Sequence, residues 1–114
     1  MNCFSKTRRL LNKSDYDYVF EQAKKMVTSE FIVLHRANTL GYARLGLALS
    51  KKSIPKAHDR NRVKRLLRET FRTARLPAVD VVFIARPGLA EIENKIIIAR
   101  LSTIWDKLTN SYAT

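Results

Sequence analysis

The sequence predicts a small α+β domain, a mixed sheet packed with helices in the chain order helix, strand, strand, helix, strand, helix. Three observations carry that expectation. Segments around residues 15–24, 60–75 and 93–109 repeat apolar residues at three- and four-residue spacing, which lines one face of a helix. Three runs, at 31–36, 43–50 and 79–86, are rich in branched and aromatic residues and end at turns or helices. The 114 residues suffice for one core and leave no room for a second. Residues 1–114 are therefore expected to form one domain, with residues 1–9 flexible or extended.

Ser14 with Asp17 three residues later resembles a capping box, and Tyr16, Val19, Phe20 and Ala23 then keep helical spacing, so the first helix is expected over about 15–24. Tyr16 and Phe20 stand one turn apart and can face either the core or an open surface. The first strand is expected at 31–36 and the second at 43–50. In the second, Leu45, Leu47 and Leu49 point to one side, and Arg44, Gly46, Ala48 and Ser50 to the other. That second side is shallow and carries a charge, which suits an extended ligand or cover by the first helix. Pro55 marks a loop, and Asp59 is expected to cap a second helix whose first residues are Arg60, Asn61 and Arg62. Val63, Leu66, Leu67, Phe71 and Ala74 form its apolar stripe. A third strand at 79–86 stops at Pro87 and Gly88. The last helix, about 93–109, buries Ile97, Leu101, Ile104, Trp105 and Leu108.

The charge is concentrated. Lys and Arg total 22 against 10 Asp and Glu, a net +12, and residues 51–75 hold ten of the basic residues and two of the acidic ones. At 100° per residue, Asn61, Lys64, Arg65, Arg68, Arg72 and Arg75 form an arc opposite the apolar stripe. A merely solvated helix would mix signs, but Glu69 is the only acid that follows Asp59 within this segment. A membrane-surface helix would need Leu66, Leu67 and Phe71 free, and a short chain needs them for its core. Arginine forks bind phosphate bidentately and stack on bases, so nucleic acid is the expected partner.

Other classes fit poorly. Cys3 is the single cysteine and cannot pair within the chain, and His35 and His58 stand at no metal-ligand spacing. No nucleophile lies at a defined spacing from His58 and Asp59, and three glycines make no phosphate loop, so no catalytic residue and no protein-only metal site is expected. No apolar run would span a bilayer or serve as a signal peptide, which points to the cytoplasm and to no membrane partner. The short turn of a helix-turn-helix, an RNP segment and a Gly-x-x-Gly loop are all missing.

Two stretches, LGLALSKK from Leu45 and KAHDRNRVKRLLRETFR from Lys56, resemble the signature of the bacterial ribonuclease P protein subunit. KSDYDYVF near the start and DVVFIARPG before the last helix extend the likeness along the chain. The resemblance implies a subunit that binds a large catalytic RNA. That RNA, assisted by Mg2+, hydrolyses the phosphodiester that releases the 5′ leader of precursor tRNA, and the protein alone is not catalytic. It also implies a left-handed strand–helix–strand crossover, against the usual right-handed rule. Carried over by residue, Lys51, Lys52, Arg60, Asn61, Arg62, Lys64, Arg65, Arg68 and Arg72 would face the catalytic RNA. Tyr16, Phe20, Ile32, Leu34, Arg44, Ala48 and Ser50 would face the leader. Several family members place an aromatic residue where this chain has Leu34, which leaves apolar contact there. Self-association is not predicted, and the alternative reading is a ribosomal or other structural RNA-binding protein.

Overall fold

The computed structural model describes residues 9, 10 and 12–112. Its elements are α1 (Lys13–Gln22), β1 (Lys24–Val27), β2 (Phe31–Ala37), β3 (Arg44–Ala48), α2 (Ala57–Ala74), β4 (Val79–Ala85), a 3-10 turn at Leu89–Glu91, and α3 (Asn94–Tyr112). The four strands lie in the order β1-β2-β4-β3, with β1–β2 and β2–β4 antiparallel and β3–β4 parallel. The parallel pair requires a crossover, and α2 supplies it.

All six expected elements are present, with shifted ends. Strand β1 was not anticipated, because its sequence Lys24-Lys25-Met26-Val27 shows no apolar alternation and it pairs on one side only. Its turn into β2 is built by Thr28, whose hydroxyl oxygen accepts from the backbone N–H of Glu30 and Phe31. Asn12, not Ser14, caps α1, its Oδ1 accepting from the Asp15 N–H at 3.0 Å. Ser14 lies inside the helix and donates to that same oxygen. Helix α2 starts at Ala57, so Asp59 sits in its first turn rather than at its cap, where it still favours the positive helix end. Arg75, expected on the helical arc, is the left-handed residue that ends α2, with φ 52°. Residues 1–8 lie outside the described residues. Arg9 pairs with Leu45 in parallel fashion, and the Leu10 N–H donates to the Leu45 carbonyl at 3.1 Å.

One sheet face carries the main core. Phe31 and Val33 of β2, Val79, Val81, Phe83 and Ala85 of β4, and Leu45 of β3 pack against Val63, Leu66, Leu67 and Phe71 of α2 and the Ile97–Leu108 stripe of α3. Phe71 meets Trp105 edge to face at 5.4 Å, and the indole N–H donates to Thr70 Oγ1. The other face has three rungs. Val27, Ile32, Ile84 and Ala48 align across all four strands, then Lys25, Leu34, Val82 and Gly46, then Arg36, Asp80 and Arg44. Helix α1 lies on this face, and its Val19 forms a small buried group with Leu10 and Val82.

Candidate nucleic-acid interface

The third rung is polar and closed. Asp80 is fully buried, a position that a carboxylate tolerates only when its charge is compensated. Arg44 compensates it with a two-pronged contact, Nε to Oδ1 at 2.9 Å and Nη2 to Oδ2 at 2.7 Å, and Asn38 Nδ2 donates to Oδ1 at 2.8 Å. The third arginine nitrogen, Nη1, reaches Asp15 Oδ1 on α1 at 3.2 Å. Its bond to Asp80 raises the Arg44 guanidinium above the usual arginine range, so it stays charged throughout. Arg44, expected to face a ligand, is instead consumed within the fold.

The second rung is covered. A Cβ at Gly46 would stand 2.8 Å from Tyr16 Cε1 and 2.9 Å from Leu10 Cδ1, so the missing side chain is what lets the tyrosine ring and Leu10 lie against β3. The shallow side of β3 is thus largely filled by α1 and the N-terminal segment. Leu34 packs into the same small cluster beneath α1. Ser50 lies past the strand, its hydroxyl accepting from the Ser53 N–H in the turn that displays Lys51 and Lys52 to solvent.

The first rung stays partly open. Ile32, Ile84 and Ala48 are half-buried, and Val27 is 56% exposed. Phe20 is 50% exposed and Tyr16 half-buried, with ring centroids 6.3 Å apart and planes 29° from parallel. Val27 and Ile84 escaped the sequence reading. Alternation along the third strand would have found Ile84, whereas Val27 had no signal once β1 was missed.

Helix α2 divides the residues expected to face RNA into two sets. Asn61 and Arg65 are exposed, and Lys64, Arg68 and Arg72 are half-buried on the same side. Lys64 and Arg68 join Arg9, Leu10, Tyr16, Leu45 and Leu47 around a groove of about 220 Å3. Partial burial, together with the nearby Arg9 charge, lowers the Arg68 guanidinium below the usual arginine range, while Tyr16 opposes the shift. The aromatic helix and the basic helix, far apart in sequence, therefore line one groove. Arg60 and Arg62 point elsewhere. Arg60 Nη1 donates to the Ile54 and Pro55 carbonyls at 2.7 and 2.9 Å, closing the loop before α2. Arg62 donates to the Ala90 carbonyl at 2.6 Å and to Asn94 Oδ1 at 2.5 Å, tying α2 to the start of α3.

Among the described residues no three His, Cys, Asp or Glu side chains gather as a metal site, and no helix is long and apolar enough to cross a membrane. A family profile described as Ribonuclease P matches residues 4–109. The chain is 62% identical over 112 residues to the ribonuclease P protein component of Legionella pneumophila (strain Lens), with 98% of each chain covered. The fold superposes on the RNase P protein of Staphylococcus aureus with a TM-score of 0.84 at 26% identity, over 91% of this chain and 99% of that one. The RNase P protein of Thermotoga maritima gives 0.76 at 30% identity, over 87% and 96%.

Proposed function

Because the chain belongs to the ribonuclease P protein family, a component of a tRNA-processing ribonucleoprotein endonuclease whose partner is the RNase P RNA, we propose that it binds that RNA through α2 and the 5′ leader of precursor tRNA through the groove beside α1. The observation that carries this reading is the single-sign face of α2. Asn61, Lys64, Arg65, Arg68 and Arg72 lie on one side of a helix whose other side is core, and Lys51 and Lys52 are exposed in the turn that precedes the helix. A phosphate backbone is the partner such a surface attracts. Arg60 and Arg62 shape the ends of this surface by holding backbone carbonyls.

The leader assignment draws on Tyr16, Phe20, Ile32 and Ala48, with Val27 and Ile84 added from the same open rung. Apolar and aromatic contact beside cations suits single-stranded RNA, which offers unstacked bases and phosphates together. Leu34 and Ser50 take supporting positions, and Arg44 acts from within the fold. The RNA carries the hydrolysis in this reading. Asp15 and Asp80 converge on Arg44, which occupies these two carboxylates, and in this reading Mg2+ is held mainly by the RNA. Such work belongs in the cytoplasm. The test is reconstitution: purified protein, matching RNA and labelled precursor tRNA at low Mg2+ should release the leader only when protein and RNA are both present. Leader release by the protein alone, or by the RNA alone at the same rate, would overturn the proposal.

A further inference from the structure

We infer that Asp15, Arg44 and Asp80 are positioning residues, a strut that fixes the register of α1 on the sheet and thereby holds Tyr16 at the groove where leader-bearing tRNA is distinguished from leaderless tRNA. The inference rests on the leader reading above.

The anchoring half is rigid. Asp80 and Arg44 are direct neighbours across the parallel β3–β4 pair, and three hydrogen bonds fill the two carboxylate oxygens. The guanidinium plane is thereby fixed, and its one remaining nitrogen pair edge, Nη1, is aimed at Asp15. Asp15 lies in the first turn of α1, immediately before Tyr16. Arg44 lies two residues before Gly46 on the same sheet face, and Tyr16 stands on Gly46. Consecutive residues of α1 therefore meet consecutive rungs of β3, which sets the helix along the strand.

A directional contact matters because the apolar contact under α1 is small. Val19 is the one fully buried residue of this ten-residue helix, with Tyr16 and Tyr18 only partly buried beside it, so apolar packing alone leaves the helix room to slide or roll. Polar contacts limit that freedom on both sides. Opposite the strut, Arg36 donates to the Tyr18 carbonyl at 2.6 Å and its guanidinium lies 3.7 Å from the Tyr18 ring, while the Tyr18 hydroxyl donates to the Ala37 carbonyl. The groove is walled by Tyr16 on one side and by Lys64 and Arg68 on the other. Its width follows from where the strut places α1.

The experiment uses the holoenzyme reconstituted with its RNA and compares affinities for precursor and mature tRNA. Asp15→Asn should lower the ratio of the two affinities about fivefold, with assembly on the RNA unchanged and the melting temperature checked by circular dichroism. Asp15→Glu, which keeps the charge, should restore most of the ratio. Asp17→Asn removes an acid from the same exposed helix without touching Arg44 and should leave the ratio alone. In a Tyr16→Ala background, Asp15→Asn should add nothing, because the strut acts through that ring. An additive effect in that background, or the same loss from Asp17→Asn, overturns the strut. If Tyr16→Ala lowers the ratio and Asp15→Asn does not, the strut alone fails. If Tyr16→Ala leaves the ratio unchanged, the leader reading fails and the strut falls with it.

Discussion

Replacing Arg62 with alanine should destabilise the fold, although a helical wheel places this residue away from the core. Its side chain spans from α2 to the segment between β4 and α3 and is only 22% exposed. Two short bonds matter: Nη2 to the Ala90 carbonyl at 2.6 Å and Nη1 to Asn94 Oδ1 at 2.5 Å. The Ile92 carbonyl at 3.4 Å is at the limit of bonding, and Asp59 at 3.7 Å is a partly solvated pair that contributes little. A hydrogen bond from a charged donor is worth roughly 1.5 to 3 kcal/mol, but water can replace the exposed Asn94 contact, so the loss should be about 2 kcal/mol rather than the sum. For a domain of this size that is a fall in Tm of roughly 8 to 12 °C. Circular dichroism melting of Arg62→Ala against Arg65→Ala checks it. Arg65 is exposed on the same helix, and its removal should change stability by less than about 0.5 kcal/mol while weakening RNA binding. Arg62→Lys, which can satisfy one acceptor but not fork between two, should recover about half the loss. Equal melting of Arg62→Ala and the parent would refute the reasoning.

Burial, with Lys24 nearby, holds the His35 imidazole below its ordinary range, and Nδ1 lies 2.8 Å from the Tyr112 hydroxyl at the end of α3. The unfolded chain therefore takes up the proton first, so stability is full above about pH 6.5 and is lost as pH falls through the lowered folded value. Tm measured from pH 7.5 to 5 should drop less steeply for His35→Gln than for the parent. Gly46→Ala should push Tyr16 and Leu10 off β3, costing about 1 to 2 kcal/mol in denaturant unfolding and changing leader affinity more than RNA assembly. RNA affinity should fall steeply with salt, with a log–log slope of roughly −4 to −5 for about five phosphates, and Arg72→Ala should reduce that slope by about one. A slope that is flat, or untouched by the substitution, would remove α2 from the interface.

What the sequence disclosed followed from periodicity strong enough to survive any context. The α2 stripe of Val63, Leu66, Leu67 and Phe71 is buried as expected, because four large apolar residues on one face of a polar helix have a single way to leave water. Strand β4 was legible as an apolar run for the related reason that it lies centrally and is covered on both faces. Strand β1 gave no such signal: two lysines at an edge, paired only to β2, are stable by virtue of their partner and not of their own pattern. The α1 cap was ambiguous in a different way. Asn12 and Ser14 are both competent caps, and the choice rests on which one meets a free backbone N–H, here that of Asp15.

The arginines mark the deeper limit. Arg44, Arg60 and Arg62 share with Arg65 and Arg68 the same five-donor fork, and a fork that grips two phosphate oxygens grips two backbone carbonyls or a carboxylate equally well. Angle on a helical wheel separates core from surface but says nothing about carbonyls brought over that surface by another part of the chain. The 3-10 turn that receives Arg62 begins 27 residues later, and the carboxylate that receives Arg44 lies 36 residues away on the far side of a crossover. Both partners arrive only when β3 and β4 pair. In a chain with 22 basic residues and 10 acidic ones, cations outnumber the acids that could neutralise them, so carbonyl groups take up part of the excess inside the fold. The arginines they engage hold the loops and helix ends in place, and those elements in turn display Lys64, Arg65, Arg68 and Arg72 along one line of α2.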